Sequence, residues 1–108
     1  MAKKYAIANS TSDYHEILND KEVDLVLITT QHHMHAKMTI EAITSGKSVF
    51  VEKPLCLKYS DGKKLLLLSK KNKVKLMVGH LMLYHPAYLK MKESITKGKI
   101  GKVRYIYS

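Results

Sequence analysis

The apolar run Ser48-Val49-Phe50-Val51 stops abruptly at Glu52-Lys53-Pro54 and is followed by Leu55. Proline has no N–H to give to a sheet ladder and confines the residue before it to extended angles. A strand must therefore leave its sheet here. Its last residues are a carboxylate and an ammonium side by side, at the kind of strand end where open α/β sheets meet their ligands. A cis peptide is also expected at Lys53-Pro54, since cis bonds are essentially confined to X-Pro pairs.

Two further apolar runs with β-branched content flank this one, Val23-Asp24-Leu25-Val26-Leu27-Ile28-Thr29-Thr30 and Val74-Lys75-Leu76-Met77-Val78. Helical spacing separates them. Met34, Met38, Ile40, Ala42 and Ile43 recur at that spacing, and Gly46 supplies a stop. From Ser60 a second helical pattern has a cap expected at Ser60 or Asp61, with a leucine face broad enough to cover a sheet. Strands alternating with helices of this length predict βαβ units, a parallel sheet over residues 23–28, 48–51 and 74–78, and consecutive helices on one face. A first helix is expected from Tyr14, capped by Ser12 or Asp13, and a last one from Pro86 to a stop at Gly98.

The chain has 108 residues, about one small domain, and a formal charge of +10. That charge does not point to nucleic acid. It is almost all lysine, Arg104 being the one arginine, whereas phosphate and base readers rely on arginine forks and aromatic stacking. Cys56 is the single cysteine, so no internal disulfide can form. No stretch approaches the roughly 20 apolar residues of a membrane span, and Lys3-Lys4 leads into no secretory apolar run. A cytoplasmic protein with neither nucleic-acid nor membrane partners is expected.

The motifs in their order carry a resemblance. The run 23–30, then His35-Ala36 with Glu41-Ala42-Ile43-Thr44-Ser45-Gly46-Lys47, then Val49-Phe50-Val51-Glu52-Lys53-Pro54-Leu55, then Met77-Val78-Gly79-His80 is similar to the Gfo/Idh/MocA family of NAD(P)-dependent oxidoreductases. The resemblance implies a partial Rossmann domain, a doubly wound parallel sheet, over residues 1–83. A connecting helix and the first strand of a second, α+β domain would follow over 84–108. Residues 2–7 resemble the end of the family's second helix, residues 9–12 a short third strand, and 103–108 the first strand of the second domain. None of Gly46, Gly62, Gly79, Gly98 and Gly101 makes a G-x-G-x-x-G spacing. The phosphate loop and the strands around it are therefore expected upstream, and the sequence reads as an internal slice of a larger enzyme. In the strand order 3-2-1-4-5-6 the run 23–30 is fourth. Without its neighbours, Leu25-Val26-Leu27-Ile28 becomes an exposed apolar edge that invites pairing, and 9–12 loses its partner.

The resemblance also assigns roles. Lys53 is the expected catalytic residue, at a partly desolvated strand end where its ammonium polarises the substrate oxygen and exchanges the hydroxyl proton. Glu52 is placed at the ribose of NAD or NADP and balances the lysine. Thr29, Thr30, Gln31, His35, Pro54 and His80 join Glu52 and Lys53 around the cofactor, while Tyr84 and His85 approach the substrate with Lys53. Read without the resemblance, Glu52 and Lys53 are a surface ion pair, and His80 and His85 are core or capping histidines. His32 and His35 are three apart, but no carboxylate or thiol lies close in sequence to complete a metal site. The stretches 78–86 and 100–108 look most like the branch of UDP-N-acetylglucosamine 3-dehydrogenases, so a sugar or nucleotide-sugar substrate is expected, and a homo-oligomer at full length. The isolated chain is expected to be inactive and to bind the cofactor negligibly, because the backbone amides that anchor a pyrophosphate are missing. A binding or assembly module without catalysis, or the remnant of a broken gene, is the alternative.

Overall fold

The computed structural model describes residues 7–107. Helix α1 (Tyr14–Asn19) leads to strand β1 (Leu25–Ile28), helix α2 (His32–Thr44), strand β2 (Ser48–Val51), helix α3 (Tyr59–Asn72) and strand β3 (Leu76–Val78). A 3-10 turn (Leu81–Tyr84) and helix α4 (Pro86–Thr96) follow. The strands form one parallel sheet in the order β1-β2-β3, as the alternation of elements predicts. Ile28 lies opposite Val51, and Val51 opposite Val78, so the three strands end level with one another.

Side chains alternate across this sheet, and its two faces differ. Val26, Ile28, Val49, Val51, Leu76 and Val78 share one face with Ala42 and Ile43 of α2 and Leu65 of α3, forming the core. Helices α2 and α3 pack against each other, as two successive parallel crossovers require. On the opposite face Leu25 and Leu27 are 59% and 63% exposed. β1 is an edge strand of the sheet, as expected, but only Leu25 and Leu27 of its apolar run are exposed, Val26 and Ile28 belonging to the core. Residues 9–12 form no strand, in keeping with the expected loss of a partner, and residues 103–107, expected as the first strand of a second domain, pair with no strand among the described residues. The resemblance of residues 2–6 to a helix end lies outside the described residues, as does Ser108.

The helix ends refine the sequence reading. Asp13 caps α1, its Oδ1 accepting the His15 N–H at 3.0 Å. The start of α3 is not Ser60 or Asp61 but Tyr59, with Lys58 at the cap and Asp61 in the first turn, where a carboxylate favours the positive helix end. Gly46 and Gly98 adopt φ of 76° and 67° beyond α2 and α4, the left-handed stop that glycine makes at little cost. The leucine run covers the sheet only in part: Leu65 is fully buried and Leu68 partly so, but Leu66 and Leu67 face outward. Helix α4 buries none of its residues and contacts the 3-10 turn. Its Glu93 accepts from Lys97 at 2.6 Å and from Lys90 at 3.1 Å, and these ammoniums, Lys97 first, hold the carboxyl below its ordinary range.

Two outcomes are expected. Leu65→Ala should cost about 2–5 kcal/mol in urea unfolding, as a fully buried leucine does, whereas Leu67→Ala should stay within about 0.5 kcal/mol; equal effects would contradict this packing. The Asp13 carboxyl is held low first by the His15 backbone amide and then by the His15 side chain. A depressed carboxyl stabilises the fold above its unfolded value, and the gain disappears as pH falls through the lower folded value. Protection of the His15 amide, the slowing of its exchange relative to the unstructured chain at the same pH, should therefore fall on acidification through that folded value, and should be already low at neutral pH in Asp13→Ala.

Candidate functional site

Level strand ends bring three short segments together. The Ile28 carbonyl accepts the Glu52 N–H at 2.9 Å, and the Val51 carbonyl accepts the Gly79 N–H at 2.8 Å. Pairing thus continues one residue past β2 and β3, and Thr29-Thr30, Glu52-Lys53 and Gly79-His80 emerge side by side at the carboxyl edge. The Lys53-Pro54 peptide is cis, as expected. His80 adopts φ −79° and ψ 66°, an inverse γ-turn closed by the Leu81 N–H on the Gly79 carbonyl at 2.9 Å. Lys53, Gly79 and His80 line an open cleft of about 690 Å³ with Leu81, Met82 and Leu83.

Glu52 is held in one orientation. Its Oε2 accepts the Lys53 backbone N–H at 3.1 Å, and the carboxylate lies over Gly79. A Cβ at Gly79 would sit 3.2 Å from Glu52 Oε1 and 3.2 Å from Phe50 Cε1. The missing side chain is what lets the carboxylate lie flat at the edge. Neither residue pairs with the other's charge, so the surface ion pair is not formed, and Lys53 is exposed rather than partly desolvated. The expected desolvation of Lys53 is corrected: nothing among the described residues covers this side of the strand end.

The remaining expected residues separate into two groups. His35 is fully buried beneath the corner, its Nδ1 2.7 Å from the Pro54 carbonyl and its Nε2 3.0 Å from the Thr30 carbonyl. With both nitrogens so engaged, His35 is closed to a metal, and no group of three His, Cys, Asp or Glu suited to a metal occurs among the described residues. Gln31 is the N-cap position of α2 but makes no side-chain cap. His85 is a capping histidine: its Nδ1 accepts the Ala87 N–H at 3.2 Å at the start of α4. Tyr84 and His85 are exposed and do not line the cleft that Lys53 shares with His80. Leu81, Met82 and Leu83, by contrast, do line it, and only their hydrophobicity in a run without helical or strand periodicity signalled them in the sequence.

The edge has the constitution of a dinucleotide site, a carboxylate, hydroxyls and an ammonium at the ends of parallel strands. The sequence pattern of the oxidoreductase family with NAD-binding Rossmann fold matches residues 1–80. The chain belongs to this Gfo/Idh/MocA family. It is 37% identical over 101 residues to the inositol 2-dehydrogenase of Salmonella typhimurium (strain LT2), covering 92% of this chain and 30% of that protein. To the scyllo-inositol 2-dehydrogenase (NAD(+)) of Bacillus subtilis (strain 168) it is 36% identical over 105 residues, covering 97% of this chain and 31% of that one. Levoglucosan dehydrogenase in complex with NADH and levoglucosan superposes with a TM-score of 0.85 at 33% identity, over 94% of this chain and 27% of the other. The chain spans about 30% of the length of the curated relatives it matches. These relatives correct the expected branch: the likeness runs to inositol 2-dehydrogenases and not to UDP-N-acetylglucosamine 3-dehydrogenase.

Gly79→Ala should push the Glu52 carboxylate off the Lys53 amide. The expected outcome is a change in the Lys53 amide proton shift that matches the change in Glu52→Gln, with the core methyl signals of Val49 and Ile43 unmoved. An unchanged Lys53 amide would show that the carboxylate does not depend on the missing side chain.

Proposed function

We propose that this chain supplies the nicotinamide and ribose side of an NAD(P) site, together with the proton-transferring lysine, in a dehydrogenase acting on a secondary hydroxyl of a cyclic polyol or sugar. The observation that carries the reading is the level edge at which Glu52, Lys53 and His80 meet beside a cleft, in a chain of this family. The residues fit one half of a dinucleotide. Gly79 leaves room for the Glu52 carboxylate, whose Oε1 accepts no hydrogen bond among the described residues and is free for ribose hydroxyls. The glycine-rich cradle for a pyrophosphate is not among this chain's glycines.

A bound nicotinamide supplies hydride acceptance and return. What the chain does is hold and move a proton. Lys53 Nζ, exposed at the mouth of the cleft, donates a hydrogen bond to the substrate oxygen and relays its proton as the carbon is oxidised. Leu81, Met82 and Leu83 offer an apolar wall to the C–H face of a saturated ring. Such a wall suits inositols and levoglucosan, the compounds named in the relatives.

Calorimetry of the 108-residue chain with NAD+ or NADP+ should show no dissociation constant tighter than about 10 micromolar, about −7 kcal/mol. At millimolar cofactor, amide shift changes should map to Thr29, Thr30, Glu52, Lys53 and His80. Lys53→Ala should keep those changes with affinity within about tenfold, about 1.4 kcal/mol, and lose the further changes that inositol adds. Shift changes centred away from this edge, or an inositol response that survives Lys53→Ala, would refute the assignment.

A further inference from the structure

The contacts of His35 go beyond this reading. Both ring nitrogens lie within hydrogen-bond distance of carbonyl oxygens, Nδ1 of Pro54 at 2.7 Å and Nε2 of Thr30 at 3.0 Å, and the side chain is fully buried. A carbonyl oxygen only accepts. A neutral imidazole carries one N–H, so one of its nitrogens would aim a lone pair at an oxygen lone pair, shielded from water. Only the doubly protonated ring donates to both.

We propose that His35 is a buried imidazolium that positions the Glu52-Lys53-Pro54 corner by donating at once to the carbonyls of Pro54 and Thr30. Two charge-assisted hydrogen bonds compensate the burial of the charge; the separation at Pro54, 2.7 Å, has the length of such a bond, and the one at Thr30, 3.0 Å, is of ordinary length. The position of His35 in the first turn of α2 opposes the charge, because a helix N-terminus disfavours cations. The two carbonyls face the ring directly, at hydrogen-bond distance, and outweigh a dipole that no side chain of the cap reinforces. His32 lies edge-on to the ring at 5.7 Å on the same helix, and the ring's hydrogen-bond partners among the described residues are the two carbonyls, no ionisable side chain being bonded to it. The imidazolium ties the end of β1 to the residues after β2 across the gap where the sheet ladder has ended. It touches neither reacting atom nor cleft, so it is a positioning residue.

Its value for catalysis rests on the corner being the reacting site, but the charge itself does not. The test is nitrogen-15 NMR of the histidine rings in the 108-residue chain at neutral pH, without cofactor or substrate. Both His35 nitrogens are expected in the protonated range, each with an N–H proton in slow exchange. One nitrogen in the unprotonated range overturns the proposal and leaves the assignment of Lys53 untouched; conversely, failure of the Lys53 test leaves the imidazolium signal in place. His35→Gln should in addition shift the amides of Gln31, Lys53 and Leu55 while the methyls of Val49 and Leu65 stay in place, and unmoved corner amides would refute the positioning role. Should that variant not fold, the ring signals of the unmodified chain still decide.

Discussion

Everything at the candidate site depends on the register of β2 between its two parallel neighbours. Parallel pairing points three strand ends the same way, and the pairing of Ile28, Val51 and Val78 makes those ends level. A slip of one residue would turn every buried valine and isoleucine toward solvent. The alternation that buries Val49 and Val51 therefore also determines where Glu52 and Lys53 emerge. The core and the site are set by one constraint.

Beyond the last paired residue the ladder no longer holds the chain, and other contacts take over. The Glu52 and Gly79 amides still reach neighbouring strands, at 2.9 and 2.8 Å. Past them, the His35 ring spans the carbonyls of Thr30 and Pro54, and the Glu52 carboxylate rests on Gly79 and on the Lys53 amide. Each of these contacts fixes backbone or carboxylate and leaves the Lys53 ammonium exposed.

The covered face of the sheet was legible because strand and helix periods differ. Runs of four to six apolar, β-branched residues alternating with helical patterns specify parallel strands and their order of burial, and all three strands lie within the expected spans. The corner was legible for a similar reason: a proline directly after two charged residues at the end of such a run ends a strand in few ways. The cap of the helix starting at Tyr59 lies two or three residues before the expected one, since Ser60 and Asp61 satisfy a first turn as readily as a cap. Residues 103–107 have the alternating composition of a strand but no neighbouring strand among the described residues, and composition alone does not supply hydrogen-bond partners.

By itself, then, the sequence determined the parallel α/β arrangement, the end of the strand at Pro54 and the family to which these motifs belong, because each follows from local sterics, periodicity or ordered spacing. Only the tertiary structure decided that His35 faces two carbonyls, that Gly79 lies under the Glu52 carboxylate, that Leu81, Met82 and Leu83 rather than Tyr84 and His85 share a cleft with Lys53, and that Leu25 and Leu27 stay exposed. Apart from His35 with Thr30, five residues away, those are contacts between residues nineteen or more apart in the chain, or with solvent. They depend on strand register and crossover geometry, which bring distant residues together without leaving a mark in the local sequence.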